Sequence, residues 1–163
     1  MELAAAIRAG EVDTVRAFVA ADPALAGARD EQGLPVVLVA LFHRRRDIAD
    51  VLLEAEPELG VLEAAALGRV ARLRELLPER LHDRTPDGFT PLHAAAHTDD
   101  VEMAELLLSH CADPAITTDD GRDPARLAAD DGSPRAAALL SPRSGPSRSS
   151  APGPERAPRS PAA

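Results

Sequence analysis

The sequence predicts an all-α chain: a solenoid of about five helix-turn-helix units with short connections, ending in a disordered tail. Three observations predict it. The first is residues 87–113, DGFTPLHAAAHTDDVEMAELLLSHCAD, which read as one turn–helix–helix unit. The second is recurrence, because Gly88 is followed 33 residues later by Gly121, and Asp123-Pro124 then repeats the helix opening of Thr90-Pro91. The third is composition. Three Phe and no Tyr or Trp cannot build one large-side-chain core, whereas Ala-rich helices can pack closely in a stack.

The clearest unit justifies itself residue by residue. Asp87-Gly88 makes the turn. Thr90 is a good N-cap because its hydroxyl can accept from an orphan amide, and Pro91 gives up an N–H that had no partner anyway. The apolar run Leu92 to Ala96 is followed by a polar break over His97 to Asp100, and Val101 to His110 reads as a second, amphipathic helix. This unit resembles an ankyrin repeat. Thr90-Pro91-Leu92-His93 stands as that family's Thr-Pro-Leu-His signature, and 33 residues is its period.

The resemblance supplies a marker for the rest of the chain, the residue between the two helices of each unit, usually Gly. Here it is Gly10, Arg44, Gly68, Asp99 and Gly132, giving units of about 1–28, 29–57, 58–82, 83–115 and 116–140. Five residues beyond each marker lie Val15, Ala49, Leu73, Ala104 and Ala137. Eight beyond lie Phe18, Leu52, Leu76, Leu107 and Leu140. Both columns are apolar throughout and are expected to form the seam that neighbouring units bury.

The first unit begins directly in a helix, Glu2 to Arg8, continues over Val12 to Ala20 and stops at Asp22-Pro23. The second is expected to hold helices over Val36–Phe42 and Asp47–Glu54. The spacing from Arg44 to Gly68 is only 24, too short for a turn-forming finger, so a tight αα turn is expected over 54–61. The third unit runs from Leu62 to Leu77. The fifth keeps the cap at Asp123-Pro124 but has Ala125 and Arg126 where the fourth has Leu92 and His93, the degradation expected of a terminal repeat. From Ser141 the chain holds six Pro and six Ser in 23 residues and is expected to be disordered.

Charge bounds the partners. The chain carries −9, and the tail's four Arg and one Glu leave −12 on residues 1–140. Nucleic acid and anionic membrane are therefore not expected as partners. Arg44-Arg45-Arg46, without interleaved aromatics, reads as a solvated loop paired with Asp47 and Asp50. All 18 basic residues are Arg, a bias that suggests a GC-rich bacterial source. Cys111 is the only cysteine, which excludes an intrachain disulfide. The N-terminus has no basic n-region or long apolar run, so a cytoplasmic monomer is expected.

The resemblance implies a curved stack that binds another protein through its turn tips and concave face. Carried onto this sequence, the surface comprises Arg29, Glu31, Gln32, Leu34, Phe42 and His43 in the second unit. The fourth contributes Arg84, Pro86, Asp87, Phe89, His97 and Thr98, and the fifth Thr117, Asp119, Asp120, Arg122, Asp130 and Asp131. Phe42 and Phe89 are candidate apolar anchors. Asp119, Asp120, Asp130 and Asp131 are a candidate acidic patch for a basic partner surface. The implied role is an adaptor, or a regulator or inhibitor of the partner. A second reading takes His93, His97, His110 and Cys111 as the metal ligands of a hydrolase or metal sensor, although the family's signature histidine is structural. The glycines are isolated and Ser109 has no base at a useful spacing, so no catalytic residue and no cofactor are expected.

Overall fold

The computed structural model describes residues 2–141. The tail expectation lies, but for Ser141, outside the described residues. Ten α-helices follow in pairs: α1 Leu3–Ala9 and α2 Val12–Ala21, α3 Val36–Phe42 and α4 Arg46–Leu53, α5 Val61–Ala66 and α6 Val70–Leu76, α7 Pro91–His97 and α8 Val101–Ser109, α9 Pro124–Asp130 and α10 Pro134–Leu140. The first members form a continuous inner layer, each packed on the next from α1 to α9. Among the described residues there is no strand beyond one isolated bridge, Arg29 to Pro35, and no helix is long and apolar enough to cross a membrane.

The turn inside each pair has one chemical requirement. All five marker residues adopt positive φ: Gly10 at 79°, Arg44 at 57°, Gly68 at 66°, Asp99 at 57° and Gly132 at 72°. The left-handed conformation costs a side chain roughly 1–2 kcal/mol, so Arg44 and Asp99 need compensation. Asp99 obtains it by accepting a hydrogen bond from the Ala136 amide at 2.8 Å, capping the outer helix of the next unit. Arg44 donates to the Asp131 carbonyl at 2.8 Å, 87 residues away.

The apolar columns form the seam with two shifts. Val15, Ala49, Leu73, Ala104, Leu52, Leu107 and Leu140 are buried. Ala137 is half-buried. In the first and third units Phe18 and Leu76 are only half-buried, and the next positions, Val19 and Leu77, turn inward instead. Of the outer helices α6 has the least support, packing mainly on α5, whereas α2 packs on α1, α4 and the segment that follows it.

Two connections differ from expectation. After α2 the chain does not simply stop at Asp22-Pro23. It forms a 3-10 helix, Pro23–Gly27, capped by the Asp22 side chain accepting from the Ala24 amide at 3.0 Å. Between α4 and α5 there is no tight αα turn. Glu56 adopts φ 50° and ends α4, and residues 56–60 then run without secondary structure into α5. Without a finger in the third unit, the second and fourth fingers meet directly, and a Cβ on Gly33 would lie 3.3 Å from Pro86 Cγ.

Candidate protein-binding surface

Each finger is built around one buried polar side chain three residues before its turn glycine. Asp30 accepts from the Gln32 amide at 3.0 Å and the Leu34 amide at 2.9 Å, and pairs with Arg8. Thr85 accepts from the Phe89 amide at 2.9 Å and donates to Asp87. Thr118 accepts from the Arg122 amide at 3.2 Å and donates to Asp120. All three are buried. Sequence reasoning missed them, although their constant offset from Gly33, Gly88 and Gly121 was available as a signal. The fingers are also joined in series, the Asp119 amide donating to the Asp87 carbonyl at 3.0 Å. Gly88 allows this approach, since a Cβ there would lie 3.1 Å from Thr118 Cα.

His93 locks the fourth finger to the fifth. Its Nδ1 accepts from the Thr90 amide at 3.2 Å, so Nε2 carries the proton and donates to the Arg122 carbonyl at 3.1 Å. Burial pushes its pKa below the ordinary histidine value, against the hydrogen bond to Arg122. The structural role expected of the signature histidine is thereby met.

Finger tips Glu31, Gln32, Asp87, Asp119 and Asp120 are exposed, as are Arg29, His43 and Arg84. Gln32, Leu34, Pro86, Asp87 and Asp119 line one shallow depression of about 230 Å³. At the end of this edge Glu2 holds its carboxyl above the ordinary value, first through a hydrogen bond to Glu31 and then through that carboxylate's charge.

The expected apolar anchors are not free. Phe42 and Phe89 are half-buried against each other, ring centroids 5.1 Å apart. Phe42 also meets the His97 ring edge-on at 5.1 Å, and Phe89 lies 5.5 Å from His93. The short third unit draws these rings together, and the concave face is filled there by the protein's own aromatics.

The four aspartates of the fifth unit likewise do not form one patch. Asp119 and Asp120 precede α9 while Asp130 and Asp131 end it, so a seven-residue helix, roughly 10 Å long, separates the pairs. Three of the four have a donor side chain beside them. Arg122 lies 2.6 Å from Asp120 and holds its carboxyl down to about 2. Arg126 reaches Asp130 at 3.4 Å, and His97 Nδ1–H donates to Asp131 at 2.6 Å. Thr98 turns its hydroxyl back onto the Ala94 carbonyl at 3.2 Å. The Arg44–Arg46 loop also differs from expectation. Among the described residues no ion pair joins it to Asp47 or Asp50; Arg44 crosses to Asp131 and the Arg45 guanidinium lies over Gly10.

The four candidate metal ligands are not brought together. Both ring nitrogens of His93 are engaged, His97 is held by Asp131, and His110 bonds the Leu106 carbonyl at 2.9 Å. Among the described residues no group of three or more His, Cys, Asp or Glu is placed to hold a metal ion. Cys111 is exposed and takes φ 68°, the left-handed C-cap that the family fills with glycine.

Comparison with known proteins agrees with this geometry. Residues 87–119 match the family model of the ankyrin repeat. Ankyrin repeat domain-containing protein 49 of Drosophila melanogaster is 36% identical over 77 residues, which make up 42% of this chain and 36% of that protein. The match thus spans about a third of that relative's length. Ankyrin repeats generally serve as protein–protein interaction modules. From the signature cap and its inter-finger lock to the serially stacked helix pairs, the geometry agrees with that match, and residues 87–119 form an ankyrin repeat.

Proposed function

We propose that this chain is an adaptor, or a regulator or inhibitor, that binds a partner protein along its finger edge. One observation carries the reading: the second, fourth and fifth fingers are locked by buried polar groups and meet in one exposed depression lined by Gln32, Leu34, Pro86, Asp87 and Asp119. A surface already fixed in place loses little conformational entropy on binding. Asp87 and Asp119 give the depression an acidic rim, which favours a partner with a basic surface. The half-buried rings of Phe42 and Phe89 support the edge from beneath and are not contacts in this reading.

The test is affinity capture from lysate of the source organism, identified by mass spectrometry, with the natural chain and an Asp87→Arg/Asp119→Arg variant as baits. Asp87→Arg also removes the acceptor of the Thr85 hydroxyl, so the melting midpoint of the variant is measured beside that of the parent and only a folded variant is used as bait. The expected result is a specific prey held by the natural chain and lost by the variant. A prey held equally by both would remove the finger edge from the interface.

A further inference from the structure

The last helix delivers the chain to the finger side. The turn at Gly132 and Ser133, closed by the Ser133 amide on the Ala128 carbonyl at 2.8 Å, folds α10 back along α9. Thus α10 starts where α9 ends and finishes level with the start of α9, at the base of the fifth finger. Ser141 is exposed there, its amide donating to the Ala137 carbonyl at 2.9 Å. In the fourth unit nine residues carry the chain from the equivalent point, Ser109, to Thr118 in the next finger. Beyond Ser141 the sequence continues for 22 residues, which can span up to about 70 Å. The second, fourth and fifth fingers adjoin one another, so their shared depression lies well within that reach.

The depression and these residues are complementary. Leu34 and Pro86 give it an apolar floor, Asp87 and Asp119 give it two carboxylates, and no arginine lines it. The arginines of the second and fifth fingers are engaged elsewhere, Arg29 with the Gly33 carbonyl and Arg122 with Asp120. Residues 142–163 hold six Pro, and they set Arg143, Arg148, Arg156 and Arg159 against Glu155 alone. Proline rings suit an apolar floor, and an arginine stem can lie along it while its guanidinium meets the rim. The segment's net +3 faces a body carrying −12.

We propose that residues 142–163 of this chain dock in the finger-edge depression, prolines over Leu34 and Pro86 and arginines against Asp87 and Asp119, and hold it against the partner. The occlusion rests on the protein-binding reading, whereas the docking stands without it. A tethered segment meets its site at an effective concentration of about millimolar. The same segment on a second copy comes only at the protein's own concentration, and two bodies of −12 repel. A segment of this composition pays its ordering entropy on docking and binds weakly for its area, so a basic partner can displace it.

The test places a nitroxide at Ala157→Cys in the full chain, with Cys111→Gly removing the native thiol, and reads the broadening of backbone amides by NMR. Broadening is expected at Gly33, Leu34, Asp87 and Asp119 and not in α2 or α6. It should fall to the level of those helices when Arg143, Arg148, Arg156 and Arg159 are all replaced by Ser. It should fall likewise in Asp119→Arg, which leaves the bond from Thr85 to Asp87 in place. No excess broadening at the finger edge, or equal broadening without the four arginines, would overturn the proposal. Broadening of an isotope-labelled chain by a separate nitroxide-labelled chain would give the depression to a second copy and overturn the chain's own segment as occupant. Capture tests the occlusion. A prey that depends on Asp87 and Asp119 should be recovered in greater amount by the variant without the four arginines, and equal recovery would overturn the occlusion. If no prey depends on those aspartates the protein-binding reading fails, and the broadening still decides the docking.

Discussion

The third and fourth units share one plan and differ in how they are fastened. The fourth has its cap and finger complete. Thr90 and His93 satisfy each other in a capping box, His93 reaches the Arg122 carbonyl, and the Asp87 carbonyl receives the Asp119 amide. The third opens on Gly60 with no side-chain cap, places Glu63 where the histidine would be and has no finger. It is held by its neighbours: all six residues of α5 are buried between α3 and α7. Its outer helix has no such support. Arg72 stands in α6 at the position filled by buried Ile48, Met103 and Ala136 in other units, and Leu73 is the one buried residue of that helix. The signature residues thus couple one unit to the next, and a unit lacking them persists by burial while leaving an opening at its edge.

The largest expected effect contrasts the two outer helices. Leu107→Ala removes a fully buried side chain of the fourth unit and should cost about 2–5 kcal/mol. Leu76→Ala, at the matching position of α6, removes a half-buried one and should cost about 1 kcal/mol, in line with the smaller area lost. Equal losses in urea unfolding would break the comparison.

A smaller effect isolates the lock itself. His93→Ala leaves the Arg122 carbonyl and the Thr90 amide without their partner and should cost roughly 1–3 kcal/mol. The same residue predicts a pH dependence. Its folded pKa lies below the ordinary 6.5, so its share of stability is complete above that value. As pH falls below 6.5 the unfolded chain takes up the proton first and stability declines, until the folded value is passed. Melting midpoints between pH 8 and 5 should fall more steeply for the natural chain than for His93→Gln, and parallel curves would remove His93 as the cause.

The smallest effect is a gain. Cys111 bears a side chain at φ 68°, so Cys111→Gly should stabilise the fourth unit by up to about 1 kcal/mol. Asp99→Gly should not do so, although φ is equally positive there, because it also loses the bond to the Ala136 amide. A gain in both variants would mean that this cross-unit cap adds nothing.

What was legible in the sequence followed from local chemistry. Thr90-Pro91 announces a helix start, the bounds of Val36–Phe42 follow from its flanking Pro35 and polar loop, and the five markers read from Gly10 onward all take the backbone conformation that glycine favours. The surface was less legible because its arrangement depends on contacts distant in sequence. Phe42 meets Phe89 and His97 only because the 24-residue spacing removes a finger between them. Arg44 finds Asp131 by the same shortening. The aspartates of the fifth unit share a repeat but sit at opposite ends of α9, with side-chain partners that spacing in sequence does not show.

Hydrogen exchange of the backbone amides, resolved by residue, tests the contrast between the units most directly. The account predicts that α6 amides exchange by local opening well before those of α7 and α8, with α5 protected between its neighbours. Uniform protection across α5 to α8, rising and falling only with global stability, would contradict it.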